Sequence, residues 1–86
     1  MINGGSYNNN PNDMAILYSN RGNAFKRARD FRSALADQNT ALGFNASDGI
    51  TYYNRGNTYF DMGDNAAAIA DYNLALSYEP NYVKAY

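Results

Sequence analysis

Apolar residues recur along most of the chain at the spacing of a helix face rather than a strand. Between Phe31 and Leu42 the inner stripe, at positions i, i+3, i+4 and i+7, is apolar except for Gln38, which is the pattern of an amphipathic helix. Its members are Phe31, Ala34, Leu35, Gln38, Ala41 and Leu42. No strand-like alternation continues for more than a few residues. The pattern predicts four helices, Met14 to Ala28, Phe31 to Leu42, Ile50 to Met62 and Asn65 to Ser77.

Turn and cap signals separate these helices. Arg29-Asp30 and Gly63-Asp64 divide each pair, and Gly43, followed by a polar run, ends the second helix. Residues 1–13 hold much Gly and Asn and little to bury, so they predict a flexible leader. Asn12 or Asp13 would then cap a first helix that starts at Met14.

The second half of the chain repeats the first. Gly22 and Gly56 lie 34 residues apart. Ala15–Asp48 aligned with Gly49–Tyr82 gives 13 identities in 34 positions, where average composition gives roughly two or three. The predicted organisation is one repeat domain over residues 14–86, with repeats at 15–48 and 49–82 and a truncated third at 83–86.

Each repeat carries a glycine one turn away from two aromatic residues, as Gly56 stands between Tyr52 and Tyr59. The missing side chain lets a partner helix approach, and the aromatics fill the space on either side. Small residues of the second helix, such as Ala68 and Ala75, are expected to meet this surface. A hairpin of two helices cannot bury both its faces, so neighbouring repeats must stack.

Composition narrows the classes of function. The chain has no Cys and no His, which removes thiolate ligands and the commonest general base and metal ligand. We therefore expect no enzyme activity, no metal and no cofactor. A net charge of −1 argues against a nucleic-acid partner. The repeated Arg21 and Arg55 are expected to pair with Asp37 and Asp71 rather than to catalyse.

Hydropathy and charge bear on location and on partners. No apolar run approaches the roughly 20 residues that cross a bilayer, and no signal peptide is visible. The default expectation is a soluble cytoplasmic protein with no membrane partner. Five of the seven basic residues lie in one part of the first half, Arg21, Lys26, Arg27, Arg29 and Arg32. Acidic residues of the second half are Asp61, Asp64, Asp71 and Glu79.

From Ala15 to Tyr86 the chain resembles the tetratricopeptide repeat family. The residues of the second copy that carry the resemblance are Tyr52, Gly56, Tyr59, Ala68, Tyr72, Ala75 and Pro80. The first copy matches with Tyr18, Gly22, Phe25, Ala34 and Ala41, but has Gln38 for the aromatic and Ala46 for the proline. The resemblance implies an all-α fold, an α-solenoid of antiparallel helix-turn-helix repeats, with two full repeats and the start of a third.

The resemblance also implies a protein-protein interaction scaffold that binds a peptide or partner protein in a concave groove. Carried over position by position, the groove residues of the first copy are Ile16, Ser19, Asn20, Asn23, Lys26 and Arg27. Those of the second copy are Ile50, Tyr53, Asn54, Asn57, Phe60 and Asp61, and Lys84 begins a third row. Asparagine suits an extended backbone because its amide both donates and accepts hydrogen bonds.

An acidic peptide is one partner that the groove residues suggest. Some family members hold a C-terminal carboxylate with a clamp of Lys, Asn, Asn, Lys and Arg, and Asn23, Asn54 and Lys84 fall on three of these five positions. The first lysine position is Ser19 here. Lys26 and Arg27 would add charge-assisted hydrogen bonds to carboxylates.

Self-association is the alternative function. With two repeats and a stub, the outer surface of the second repeat is expected to be uncovered, and exposed apolar area of this kind marks association sites. The residues predicted for it are Ile69, Tyr72, Leu76, Tyr78 and Tyr82. A homo-oligomer would form by head-to-tail stacking or by a domain swap. If the chain is a fragment of a longer array, further repeats would cover this surface instead.

Overall fold

The computed structural model describes residues 10–79. They form four α-helices, α1 (Pro11–Arg27), α2 (Phe31–Phe44), α3 (Gly49–Met62) and α4 (Asn65–Tyr78), and this range contains no strand. The all-α prediction and the order of the four helices are confirmed. Helices α1 and α2 pack as one hairpin, α3 and α4 as the second, and α3 also packs against both α1 and α2.

Helix α1 starts earlier than predicted. It begins at Pro11 rather than Met14, and Asn10 caps it by accepting a hydrogen bond from the Asn12 backbone N–H. Proline suits the first helical position because its φ is already helical and that N–H would have no helical partner. The expectation of a leader up to residue 13, capped at Asn12 or Asp13, is corrected here. Residues 1–9 and the predicted third repeat at 83–86 lie outside the described residues.

The two hairpin turns have the same construction. Asp30 caps α2 and Asp64 caps α4, each accepting a backbone N–H bond three residues further on. Before each aspartate stands a residue with left-handed backbone, Arg29 at φ 64° and Gly63 at φ 88°. Glycine adopts this conformation without steric cost, whereas arginine does not.

The core of each hairpin depends on small residues at the helix contact. The alanines of α2 and α4 at this contact, Ala34, Ala41, Ala68 and Ala75, are fully buried. A Cβ added to Gly56 would lie 2.7 Å from the Tyr72 ring and 3.3 Å from the carbonyl oxygen of Ala68. The predicted role of the glycine, a close approach of the partner helix, is confirmed.

Candidate protein interaction surfaces

A depression of about 480 Å³ lies beside α1 and the start of α3. We call it the α1–α3 trough, and its lining residues are Asn12, Ile16, Ser19, Asn20, Asn45, Asp48 and Ile50. Ile16 is 53% exposed and Ile50 is 48% exposed. The trough therefore presents aliphatic side chains among amide and hydroxyl groups.

Two residues predicted for the groove serve instead to join the hairpins. Asn54 is 7% exposed, and its Nδ2 donates to the Oγ of Ser19 at 3.0 Å. The Asn54 carbonyl accepts from Gln38 Nε2 at 3.3 Å and from Thr58 Oγ1 at 3.1 Å. Ser19 is itself buried at the edge of the trough. Asn54 thus joins α3 to the first hairpin. It was predicted to contact a ligand, but in the structure it is buried.

The predicted basic residues of the groove are partly engaged. Lys26 Nζ lies 4.0 Å from a carboxylate oxygen of Asp61, and only 20% of the Lys26 side chain is exposed. Arg27 is exposed and Asn23 is half-buried. Lys84, the last member of the predicted carboxylate clamp, lies outside the described residues.

The other predicted groove residues form a separate cluster on the second hairpin. Tyr53, Asn57 and Phe60 of α3 line a depression of about 320 Å³ together with Tyr72 of α4. The Tyr72 hydroxyl donates to Asn57 Oδ1 at 2.5 Å, and the rings of Tyr53 and Tyr72 are 6.0 Å apart. Phe60 is 59% exposed. We call these four residues and Asn73, which is exposed on α4, the outer face.

Tyr72 is the member of the predicted self-association surface that belongs to the outer face. Its burial, with the nearby charges of Tyr53 and Asp61, raises the pKa of its hydroxyl above the ordinary value. Ile69 is exposed and Leu76 is half-buried.

Tyr78, another predicted member of that surface, is engaged within the second hairpin. The ring of Tyr78 stacks on Tyr52 at 5.6 Å, within its own hairpin. Tyr82 lies outside the described residues.

An arginine and an aspartate join the helices of each hairpin. Arg21 donates to both carboxylate oxygens of Asp37, and Arg55 does the same with Asp71, at 2.6 to 2.8 Å. The predicted pairing is confirmed. Hydrogen bonding to Asp71 raises the pKa of Arg55, so its guanidinium stays charged.

The spacing and the fold of each hairpin can now be compared with known proteins. The family model of the tetratricopeptide repeat matches residues 50–82, a range that holds nearly all of α3 and all of α4. Over residues 50–82 the chain is therefore similar to the tetratricopeptide repeat family. No curated protein matches the sequence. Tetratricopeptide repeats are non-catalytic scaffolds that mediate protein-protein interaction.

The aromatic surroundings of the two arginines were not predicted from the sequence. Arg55 lies over the rings of Tyr52 and Tyr59, at 5.5 and 5.9 Å from their centroids. Arg21 lies in the same way over two rings of α1, Tyr18 and Phe25. The signal was present, because an arginine follows the first aromatic by three residues in both copies.

The polar contacts between the hairpins were also missed. Arg55 Nη1 donates to Asn39 Oδ1 at 2.8 Å across this boundary, next to the Ser19–Asn54 contact. Within residues 10–79 no three Asp or Glu side chains come together as a metal site would require. None of the helices described is long and apolar enough to cross a membrane.

Proposed function

We propose that the α1–α3 trough binds an extended peptide segment of a partner protein. The observation that carries this proposal is the pair of isoleucines, Ile16 on α1 and Ile50 on α3, which line one depression and are each about half exposed. Such a pair offers an apolar contact to a single side chain of the ligand. Full burial of a ligand leucine there would contribute about 1.5–3 kcal/mol.

Amide groups beside the isoleucines supply the polar part of the site. Asn20 is exposed, and its side chain forms no hydrogen bond with any residue in the described range 10–79. Asn12 and Asn45 line the same trough and are hydrogen-bonded to each other at 3.2 Å. Because an amide both donates and accepts, these side chains suit the N–H and C=O groups of an extended backbone.

The charges near the trough favour a neutral peptide over an acidic one. Asp48 lines the trough, with its carboxylate accepting from the Ile50 backbone N–H and from Thr51 Oγ1. Lys26 lies outside the trough, against Asp61. A ligand carboxylate would therefore meet a negative charge in the trough. We expect the bound segment to be uncharged and to carry an aliphatic side chain.

A peptide array tests this proposal. Short peptides with one aliphatic residue in a neutral polar background are compared with the same peptides carrying Asp or Glu in its place. We expect the aliphatic set to be retained, and Ile16→Ser or Ile50→Ser to weaken retention by about tenfold or more, which corresponds to roughly 1.4 kcal/mol.

The matched control is Leu74→Ser, because Leu74 is a partly exposed aliphatic residue of α4 outside the trough. This variant should retain the peptides as the unaltered chain does. Retention that survives both trough substitutions, or that falls equally with Leu74→Ser, would show that the trough is not the binding site.

A further inference from the structure

We propose that the outer face packs against α1 of a second copy of this chain, in the way that the first hairpin packs against α3 within the chain. This contact uses a different partner from the α1–α3 trough, although Asn20 belongs to both surfaces. The internal contact between the two hairpins supplies its geometry.

The outer face occupies the positions that the first hairpin uses in that internal contact. A step of 34 residues takes Ser19 to Tyr53 and Gln38 to Tyr72. Ser19 and Gln38 both hydrogen-bond to Asn54 of α3. The outer face is therefore the side of the second hairpin that is equivalent to the α3-contacting side of the first. No helix of the described residues packs on it.

One polar residue is identical at both places. Asn39 accepts a hydrogen bond from Arg55 across the internal contact, and the residue 34 positions later is Asn73. In a stacked pair of chains the residue that takes the place of Arg55 is Arg21 of the second copy. Arg21 pairs with Asp37 as Arg55 pairs with Asp71, yet its side chain is 62% exposed against 20% for Arg55. Arg21 is thus open on the side where Arg55 meets Asn39.

Helix α1 offers an open side for this contact. Three of the buried residues of α3, Thr51, Asn54 and Thr58, correspond to Leu17, Asn20 and Ala24 of α1. All three α1 residues are exposed, Leu17 at 61%. The exposed Leu17 on one end of the molecule, and the exposed Phe60 with the half-buried ring of Tyr72 on the other, give the contact its apolar area.

Charge also favours a second copy as the partner. Residues 56–79 contain no Lys or Arg, and of their four acidic residues Asp64 and Glu79 lie outside the ion pairs that Asp61 and Asp71 form with Lys26 and Arg55. The α1 end carries Arg21, Lys26 and Arg27, followed by Arg29 and Arg32. Opposite charges on the two ends steer one copy head-to-tail onto the next. Such a contact does not close on itself, so assemblies grow with concentration rather than stop at a dimer.

The test compares the unaltered chain with two variants, each carrying one substitution that blocks one of the two contact surfaces. Leu17→Glu places a charge on the open side of α1, and Phe60→Asp places one on the outer face; both residues are exposed, and circular dichroism verifies the fold. The average mass is measured by light scattering over a wide concentration range. We expect the unaltered chain to grow in mass, and each variant to associate at least about tenfold more weakly.

Mixing the two variants gives the sharpest result. Each retains the end that the other has lost, so an equimolar mixture should form a one-to-one complex and go no further. The matched control is Leu74→Asp, since the equivalent Thr40 stays exposed although α3 packs on its hairpin, so this variant should assemble like the unaltered chain.

Three results would overturn the proposal. One is a chain that stays monomeric at every concentration. The second is a closed dimer that survives both substitutions, as a domain swap would. The third is a mixture of variants that shows no complex. Added salt should weaken the true contact, because exposed charges are screened within about 8–10 Å at 0.1–0.15 M.

Discussion

The two hairpins follow one plan but differ in what lies against their outer sides. In the first hairpin α3 covers Gln38 and Leu42, and both are buried. At the equivalent positions of the second hairpin, Tyr72 and Leu76 are only half-buried. The more deeply buried of the two equivalent positions is thus occupied by the polar residue, Gln38, and the less buried one by Tyr72. Burial here follows from the neighbouring hairpin and not from the polarity of the side chain itself.

The same difference appears in the two ion pairs. Their hydrogen-bond geometry is nearly identical, but most of the Arg55 side chain is covered and most of the Arg21 side chain is not. Contact with Asn39 of the first hairpin accompanies the lower exposure of Arg55. One sequence motif therefore has two environments, and substitutions at matched positions measure the difference.

The largest difference in stability between the two hairpins is expected when the aspartate of each Arg–Asp pair is removed. Asp71→Ala leaves the largely covered Arg55 without its partner, and we expect a loss of about 2–3 kcal/mol in unfolding free energy, below the cost for a fully buried pair. Asp37→Ala leaves Arg21 in contact with water, so its loss should be smaller. Urea unfolding followed by circular dichroism measures both. Equal losses would contradict the difference in environment.

A second comparison uses the buried glutamine and its tyrosine counterpart. Gln38 is fully buried, and its Oε1 has no hydrogen-bond partner. Gln38→Met removes this group at similar volume, together with the Nε2 bond to the Asn54 carbonyl, which keeps its bond from Thr58. We expect a net gain of about 1 kcal/mol, since an unpaired buried acceptor is costly. Tyr72→Met should instead destabilise, because it removes the bond to Asn57 and the ring contact with Tyr53. The same urea measurements check both variants. A loss with Gln38→Met would show that the Nε2 bond to Asn54 outweighs the cost of the unpaired Oε1.

The hairpin turns offer a third comparison. Arg29→Gly places glycine where the backbone is left-handed, and we expect a gain of about 0.5–1 kcal/mol after loss of the exposed contact with the Phe31 ring. Gly63→Ala makes the opposite change in the second turn and should destabilise. Thermal unfolding compares the two variants. A destabilised Arg29→Gly variant would mean that the ring contact outweighs the backbone strain.

The smallest expected effect belongs to the ion pair between the hairpins. Lys26→Met keeps most of the apolar stem and removes the charge 4.0 Å from Asp61, so we expect a loss of only about 0.5 kcal/mol, typical of a partly exposed pair. The difference should shrink at high salt. Urea unfolding at low and high salt checks this. A large loss that salt does not change would indicate a packing role for the lysine instead.

Much of the fold was predictable because the two copies can be aligned within the sequence itself. The 34-residue step, the paired glycines and the caps at Asp30 and Asp64 locate the helices and their close contacts. The start of α1 was missed because several asparagines precede it. Pro11 was the available signal, since proline favours the first position of a helix.

The candidate sites were less predictable. A helical pattern shows that Asn20 and Asn54 occupy the same side of their helices, but not that the first hairpin covers Asn54. Likewise, Tyr53 and Phe60 were expected beside Ile16, whereas they form a cluster with Tyr72 on the outer face. Which part of a helix surface is covered depends on the neighbouring hairpin, and a local sequence pattern does not contain that information.

Hydroxyl-radical labelling, read by mass spectrometry at increasing protein concentration, tests most directly whether the two outer sides differ. In dilute solution we expect Leu76 to be oxidised faster than Leu42, because α3 packs on the outer side of the first hairpin and no helix of the described residues packs on the outer side of the second. As the concentration rises, Phe60 and Leu17 should become protected together. Equal oxidation of Leu42 and Leu76 in dilute solution, or protection that does not change with concentration, would contradict this difference and the stacking that follows from it.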